Sequence, residues 1–223
     1  MARDIIISPS TLSADFRCLA AEIERLHETG CRYIHFDHMD GHFTEQVTYG
    51  PMVVKALRGL SDRVFDCHLM FTNPEEHFEY FAEAGADVIQ FQYEVTDRHE
   101  EYLDRIHDLG CMASIVLNPD TPIKSVEPFL PKCDAVMVMG VFPGYSGQEF
   151  IPETVARIAE LREVIDLGGH TTKIEIDGGV NEETAADLIG AGADILVSGS
   201  FVFKHPDGPK AAVDFLRKTA AAI

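Results

Sequence analysis

A chain of 223 residues is long for a minimal domain and short for two, so barrels and doubly wound sheets, which use this length as one unit, lead. Hydrophobic residues at 46% and charged residues at 25% describe an ordinary globular chain and argue against disorder. With 18 basic against 37 acidic residues, a formal charge of −19 argues against nucleic acid and anionic membrane as partners. An anionic small molecule stays open, because backbone N–H groups can bind phosphate whatever the outer charge.

The start, Met1-Ala2-Arg3-Asp4, reaches an apolar run at once without a charged leader, and no stretch approaches the roughly 18 apolar residues of a membrane span. Cys18, Cys31, Cys67, Cys111 and Cys133 are odd in number and form no CxxC pair, which fits reduced core thiols in a cytoplasmic protein. Short apolar or β-branched runs then alternate with longer segments of helical period, the pattern of βα units on a parallel sheet. Strands are predicted at Ile5–Ser8, Tyr33–Asp37, Val64–His68, Val88–Tyr93, Ala113–Leu117, Ala135–Met139, Lys173–Asp177 and Ile195–Ser198. Eight is the number that closes a (β/α)₈ TIM barrel. A doubly wound sheet is the alternative and would have to be unusually wide.

Between the first two strands, Phe16, Leu19, Ala20, Ile23 and Leu26 predict one buried helical stripe within Asp15–His27, opposite Arg17, Glu24 and Arg25. Asn73-Pro74-Glu75-Glu76 reads as a helix start with reciprocal capping. Gly30, Gly85, Gly110 and Gly192 stand where helices turn back into strands and a left-handed residue is wanted. No linker or low-complexity tract interrupts the repeat, so residues 1–223 read as a single domain.

In such a barrel the site lies at the C-terminal ends of the strands. Period two puts His35, Asp37 and Met39 on one face of the second strand, while His68 ends the third and Asp177 the seventh. A lone histidine is more often a satisfied core residue than a ligand, but two imidazoles and two carboxylates at strand ends suit Zn²⁺, Mn²⁺, Co²⁺ or Fe²⁺. Asp177-Gly178-Gly179 and Val197-Ser198-Gly199-Ser200 follow strands seven and eight, where barrels often hold phosphate. A third glycine loop, Val141 to Gln148 with Gly144, Tyr145, Ser146 and Gly147, could close over a substrate. Each glycine loop by itself could equally be a tight βα turn.

Five co-linear motifs carry a resemblance: Ser8-Pro9-Ser10-Thr11-Leu12-Ser13-Ala14-Asp15-Phe16, His35-x-Asp37-x-Met39-Asp40-Gly41-His42-Phe43, Asp66-Cys67-His68-Leu69-Met70, Pro143-Gly144-Tyr145-Ser146-Gly147-Gln148 and Asp177-Gly178-Gly179. Together they resemble the ribulose-phosphate 3-epimerase family over nearly the whole chain. The resemblance implies a barrel of the ribulose-phosphate binding type that epimerises C3 of a ketose phosphate, D-ribulose 5-phosphate before D-allulose 6-phosphate. It also implies one divalent cation (Zn, Mn, Fe or Co) per subunit, a homo-oligomer, and no nucleic-acid or membrane partner. By the same resemblance His35, Asp37, His68 and Asp177 are metal ligands and Asp37 and Asp177 acid and base. Ser10, His68, Met39, Met70 and Met139 contact substrate, the methionines as a soft wall beside the reacting carbons. Gly144, Tyr145, Ser146, Gly147, Gly178, Gly179, Gly199 and Ser200 complete that substrate set.

The chain departs from the family pattern at Glu45-Gln46, Gln92, Gly140, Phe142 and Ser146, all expected near the mouth. These changes bear on substrate shape and leave the proposed ligands intact. A decarboxylase is disfavoured because Asp37-His38-Met39-Asp40 lacks a lysine, and a Schiff-base aldolase because Lys173 begins its strand. A class II aldolase and a non-catalytic sugar-phosphate sensor are the remaining rivals.

Overall fold

A computed structural model describes residues 3–223; Met1 and Ala2, with which the expected N-terminal segment begins, lie outside the described residues. Among the described residues there are eight strands: β1 (Ile6–Pro9), β2 (Tyr33–Met39), β3 (Val64–Met70), β4 (Val88–Gln92), β5 (Met112–Leu117), β6 (Ala135–Met139), β7 (Lys173–Asp177) and β8 (Ile195–Ser198). All pair in parallel in the order β1-β8-β7-β6-β5-β4-β3-β2, and a parallel bridge between Ser10 and His35 joins the two ends of the sheet. The expected (β/α)₈ barrel is therefore what the chain forms. The expected strand ends were right for the last three strands and within two residues elsewhere, β2 and β3 running on to Met39 and Met70.

Helices α1 (Leu19–Arg25), α2 (Pro51–Arg58), α3 (Phe78–Ala84), α4 (His99–Asp108), α5 (Thr154–Gly168), α6 (Ala185–Ala191), α7 (Ser200–Phe203) and α8 (Pro209–Ala221) surround the sheet. Only 3₁₀ turns, Ile123–Ser125 and Glu127–Lys132, fill the β5–β6 crossover, where Pro131 inside the turn would break a helix. The outward residues of each strand pack beneath the helices: Phe36 of β2 meets Phe65 of β3 with ring centroids 4.8 Å apart, and Ile34, Leu69, Phe81 and Phe91 are fully buried around them. Each such side chain is worth about 1.5–3 kcal/mol of burial. Alternation then turns the opposite set inward, including His35, Asp37, Asp66, His68, Gln90 and Glu175, all buried.

Three local expectations need correction. In the first crossover Ile23 and Leu26 are buried, but Phe16 is 49% exposed and Ala20 is exposed, because the segment opens as a 3₁₀ turn capped by Asp15 and only its second half lies on the sheet. Phe16 rests instead on Tyr49, 5.5 Å between centroids. Likewise Asn73 makes no side-chain cap; Pro74–Glu76 form a 3₁₀ turn before α3, held by backbone bonds alone. Cys18 is exposed rather than a core thiol, while the other four cysteines are buried and all five are free. The four turn glycines behave as expected, Gly85 at φ 99° for example. Among the described residues no helix is long and apolar enough to cross a membrane.

Candidate active site

The registers of β2, β3 and β7 build the centre. Asp37 lies opposite His68 across the β2–β3 pair, and Asp177 lies between Met139 of β6 and Val197 of β8. One ligand atom from each of His35, Asp37, His68 and Asp177 falls within 4.8 Å of all the others. His35 Nε2 and His68 Nδ1 stand 3.4 and 3.5 Å from the same oxygen, Asp37 Oδ1, too far for good hydrogen bonds. Neither nitrogen has a hydrogen-bond partner among the described residues. Two buried, unpartnered imidazole nitrogens converging with two carboxylates match the donor set of a divalent metal.

Outer contacts hold these ligands. His35 Nδ1 is 2.8 Å from Asp66 Oδ2, which assigns the proton to Nδ1 and leaves Nε2 facing the centre. The Gln90 amide donates to Asp66 Oδ1 at 2.6 Å and to Glu175 Oε2 at 2.7 Å, and Ser10 Oγ donates to Asp37 Oδ2 at 2.6 Å. Asp66, Gln90 and Glu175 were not singled out in the sequence. Their signal was there, since period two from His68 and Asp177 turns Asp66 and Glu175 inward as well.

The two aspartates experience opposite environments. Burial would raise Asp37, but the His35 and His68 rings outweigh it and hold the carboxyl far below its usual range. Burial and the charge of Asp37 push Asp177 up to about 7, although Asp177 keeps an edge toward the mouth. Burial opposes charge on His35 too, yet Asp37 and Asp66 raise it well above the ordinary imidazole value. The carboxylates therefore favour positive charge at this point, whether a proton or a metal ion supplies it.

A cavity of about 280 Å³ opens above the centre. Ser10, Asp37, Met39, Met70, Met139 and Asp177 line its floor, and Gly144, Tyr145, Ser146, Gly147, Gly178, Gly179, Gly199 and Ser200 its rim. His35 and His68 are not on its wall; both are fully buried beneath it. Val141 and Val197, from two of the glycine loops, also line it, as do Leu12, Val180 and Asn181, for which no substrate role was expected.

The departures from the family pattern separate. Phe142 and Ser146 line the cavity, and Ser146 Oγ lies 2.5 Å from Ser13 Oγ, tying the β6 loop to the β1 loop. Gly140 packs under the β7 loop, where a Cβ would come 2.3 Å from the Gly178 carbonyl. Glu45 and Gln46 are exposed and do not reach the cavity wall. Gln92 lies outside the cavity but contacts His68.

Asp40, part of the β2 motif, is a loop tie: its carboxylate accepts from the backbone of His42, Phe43 and Thr72. His38 faces outward, its Nδ1 donating to the Tyr49 carbonyl at 2.7 Å and its ring 4.5 Å from Phe81. Burial lowers its pKa to about 4. In a ¹⁵N NMR titration His38 is therefore expected to stay neutral, with its proton on Nδ1, from about pH 8 to about pH 5; a ring that charges near its ordinary 6.5 would contradict this packing.

Fold and site together define a (β/α)₈ barrel enzyme scaffold with a candidate His/Asp metal centre at the C-terminal mouth. The Ribulose-phosphate 3 epimerase family model matches residues 6–203. The chain belongs to that family. It is 42% identical over 209 residues to the ribulose-phosphate 3-epimerase of Synechocystis, covering 93% of this chain and 91% of the relative. It is 41% identical over 208 residues to the Bacillus subtilis protein of that name, covering 93% and 96%, and 37% identical over 223 residues to that of Escherichia coli, covering 99% and 98%. Among solved structures KGPDC from Streptococcus mutans shares the fold, with a TM-score of 0.72 at 14% identity over 98% of both chains.

Proposed function

We propose that the chain inverts C3 of D-ribulose 5-phosphate to give D-xylulose 5-phosphate, with Asp37 and Asp177 as the proton-transfer pair. The observation that carries this reading is two carboxylates of opposite proton affinity at the floor of one cavity, within 4.8 Å of each other. Family membership and the names of the relatives support the reaction and the pentose substrate.

Epimerisation beside a ketone removes the C3 proton; the freed pair forms a C2–C3 double bond while the carbonyl electrons move to oxygen. A second group then returns a proton to the opposite face of the planar ene-diolate as the carbonyl reforms. Asp37, ionised and steadied by Ser10, is suited to take the proton, and Asp177, whose environment favours its protonated form, to return one; the roles exchange in the reverse direction. In this reading His35, Asp37, His68 and Asp177 hold one divalent cation per subunit, Zn, Mn, Fe or Co. A bound cation supplies Lewis acidity beside the oxygens where negative charge develops. Met39, Met70 and Met139 give the planar carbons a polarisable wall, and the backbone at Gly178, Gly179, Gly199 and Ser200 takes the phosphate. Tyr145, Ser146 and the flanking Gly144 and Gly147 cover the substrate. Residues 1–223 act in this reading as one catalytic domain of a cytoplasmic homo-oligomer; the exposed apolar side chains of Val47 and Met52 suit contact between copies.

Matched kinetics test the substrate. D-ribulose 5-phosphate is expected to exceed D-allulose 6-phosphate at least tenfold in kcat/KM, about 1.4 kcal/mol of transition-state preference. A tenfold preference in the other direction would overturn the pentose assignment and leave the epimerase chemistry standing.

A further inference from the structure

We propose that Gln92 is a positioning residue for His68: its side-chain oxygen accepts the His68 Nε2 proton and so keeps the Nδ1 lone pair aimed at the centre. The inference rests on the reading of His68 as a metal ligand and adds what makes it one.

His68 is fully buried between β2 and β4, with its two ring nitrogens facing different neighbours. Nδ1 faces Asp37 Oδ1 at 3.5 Å, and Nε2 lies 2.9 Å from the side-chain amide of Gln92. A neutral imidazole has one donor and one acceptor nitrogen, so the amide decides which is which. With its NH₂ toward the ring, Gln92 can only donate to Nε2; the ring proton then sits on Nδ1, where it cannot ligate and its nearest acceptor is beyond good hydrogen-bonding range. Gln92 Oε1 has no partner among the described residues, so the contact with His68 is what fixes the orientation of the amide. Nitrogen and oxygen of an amide are assigned by their partners. With oxygen toward the ring, a 2.9 Å Nε2–H···O bond forms and Nδ1 presents its lone pair beside His35 Nε2.

The other imidazole is handled the same way with different chemistry. His35 is backed by the Asp66 carboxylate, His68 by a neutral amide. A second backing carboxylate would crowd Asp37, Asp66, Glu175 and Asp177 further, whereas Gln92 supplies an acceptor with no charge. Strand β4 thus turns two amides inward, Gln90 for the acceptor of His35 and Gln92 for His68 itself.

The test uses Gln92→Met, similar in length without the acceptor, and Gln92→Glu, which keeps it. Ring ¹⁵N shifts of His68 in metal-free protein read the tautomer, and competition with a chromophoric chelator reads Co²⁺ affinity. The wild type and Gln92→Glu are expected to carry the proton on Nε2, with Gln92→Glu, whose added negative charge favours a cation, binding Co²⁺ at least as tightly as the wild type, while Gln92→Met loses the tautomer and about 10–100-fold in affinity. A wild-type proton on Nδ1 would overturn the proposal. So would a Gln92→Met protein with unchanged tautomer and affinity, or a Gln92→Glu protein as weak as Gln92→Met, which would make the loss one of packing. A wild type that fails to bind Co²⁺ removes the metal reading and this inference together; binding by wild type and Gln92→Met alike removes the inference alone. Should Gln92→Met not fold, the wild-type tautomer and Gln92→Glu still decide.

Discussion

Asp177→Asn is expected to lower kcat by about 10²–10⁴-fold, the span of a lost general acid or base. The side chain ends β7 inside the cavity, and burial and the charge of Asp37 push its carboxyl up to about 7, so near neutral pH it can both hold and release a proton. An amide of the same shape does neither. Asp37→Asn should be as damaging, and it replaces the charged acceptor of the 2.6 Å bond from Ser10 with a neutral one. The two variants are expected to differ in C3 hydrogen exchange, since each leaves a different partner to remove the proton. Metal content has to be measured with each. A variant that turns over at the wild-type rate with metal bound would exclude that aspartate from proton transfer.

His68→Ala is expected to lose metal and turnover together. His68 Nδ1 is one of the two unpartnered imidazole nitrogens at the centre, and removing a ligand should cost more than the about 10–100-fold that outer partners are worth. Chelation of the wild type should likewise abolish activity, and a divalent transition metal restore it, because the ene-diolate charge would otherwise go uncompensated. Metal saturating the protein at about 100 times its Kd would add about 2.7 kcal/mol of stability, so chelation should also lower Tm in the wild type and leave His68→Ala nearly unmoved. Unchanged metal content in His68→Ala would remove that side chain from the ligand set, and full activity in metal-free protein would end the metal assignment.

Strands buried on both faces read as near-continuous apolar runs, which is why all eight were legible. The same contrast exposed the site, because His35, Asp37, His68 and Asp177 interrupt those runs at their C-terminal ends. What lay hidden depends on pairings between distant segments. Glu175 and Asp66 share the Gln90 amide only once β3, β4 and β7 take their registers, and Ser13 meets Ser146 across 133 positions. Phe16 misled because helical period was extended through a 3₁₀ turn, and Asn73 because a capping sequence met backbone bonds that already closed the turn.

The most direct test is ¹H NMR of D-ribulose 5-phosphate with metal-replete wild-type protein in D₂O. The expected result is D-xylulose 5-phosphate appearing with deuterium at C3 and at no other carbon, and remaining ribulose labelled at C3 as equilibrium is approached. Intact, unlabelled substrate, or its cleavage into shorter fragments as an aldolase would give, would contradict 3-epimerisation by this chain.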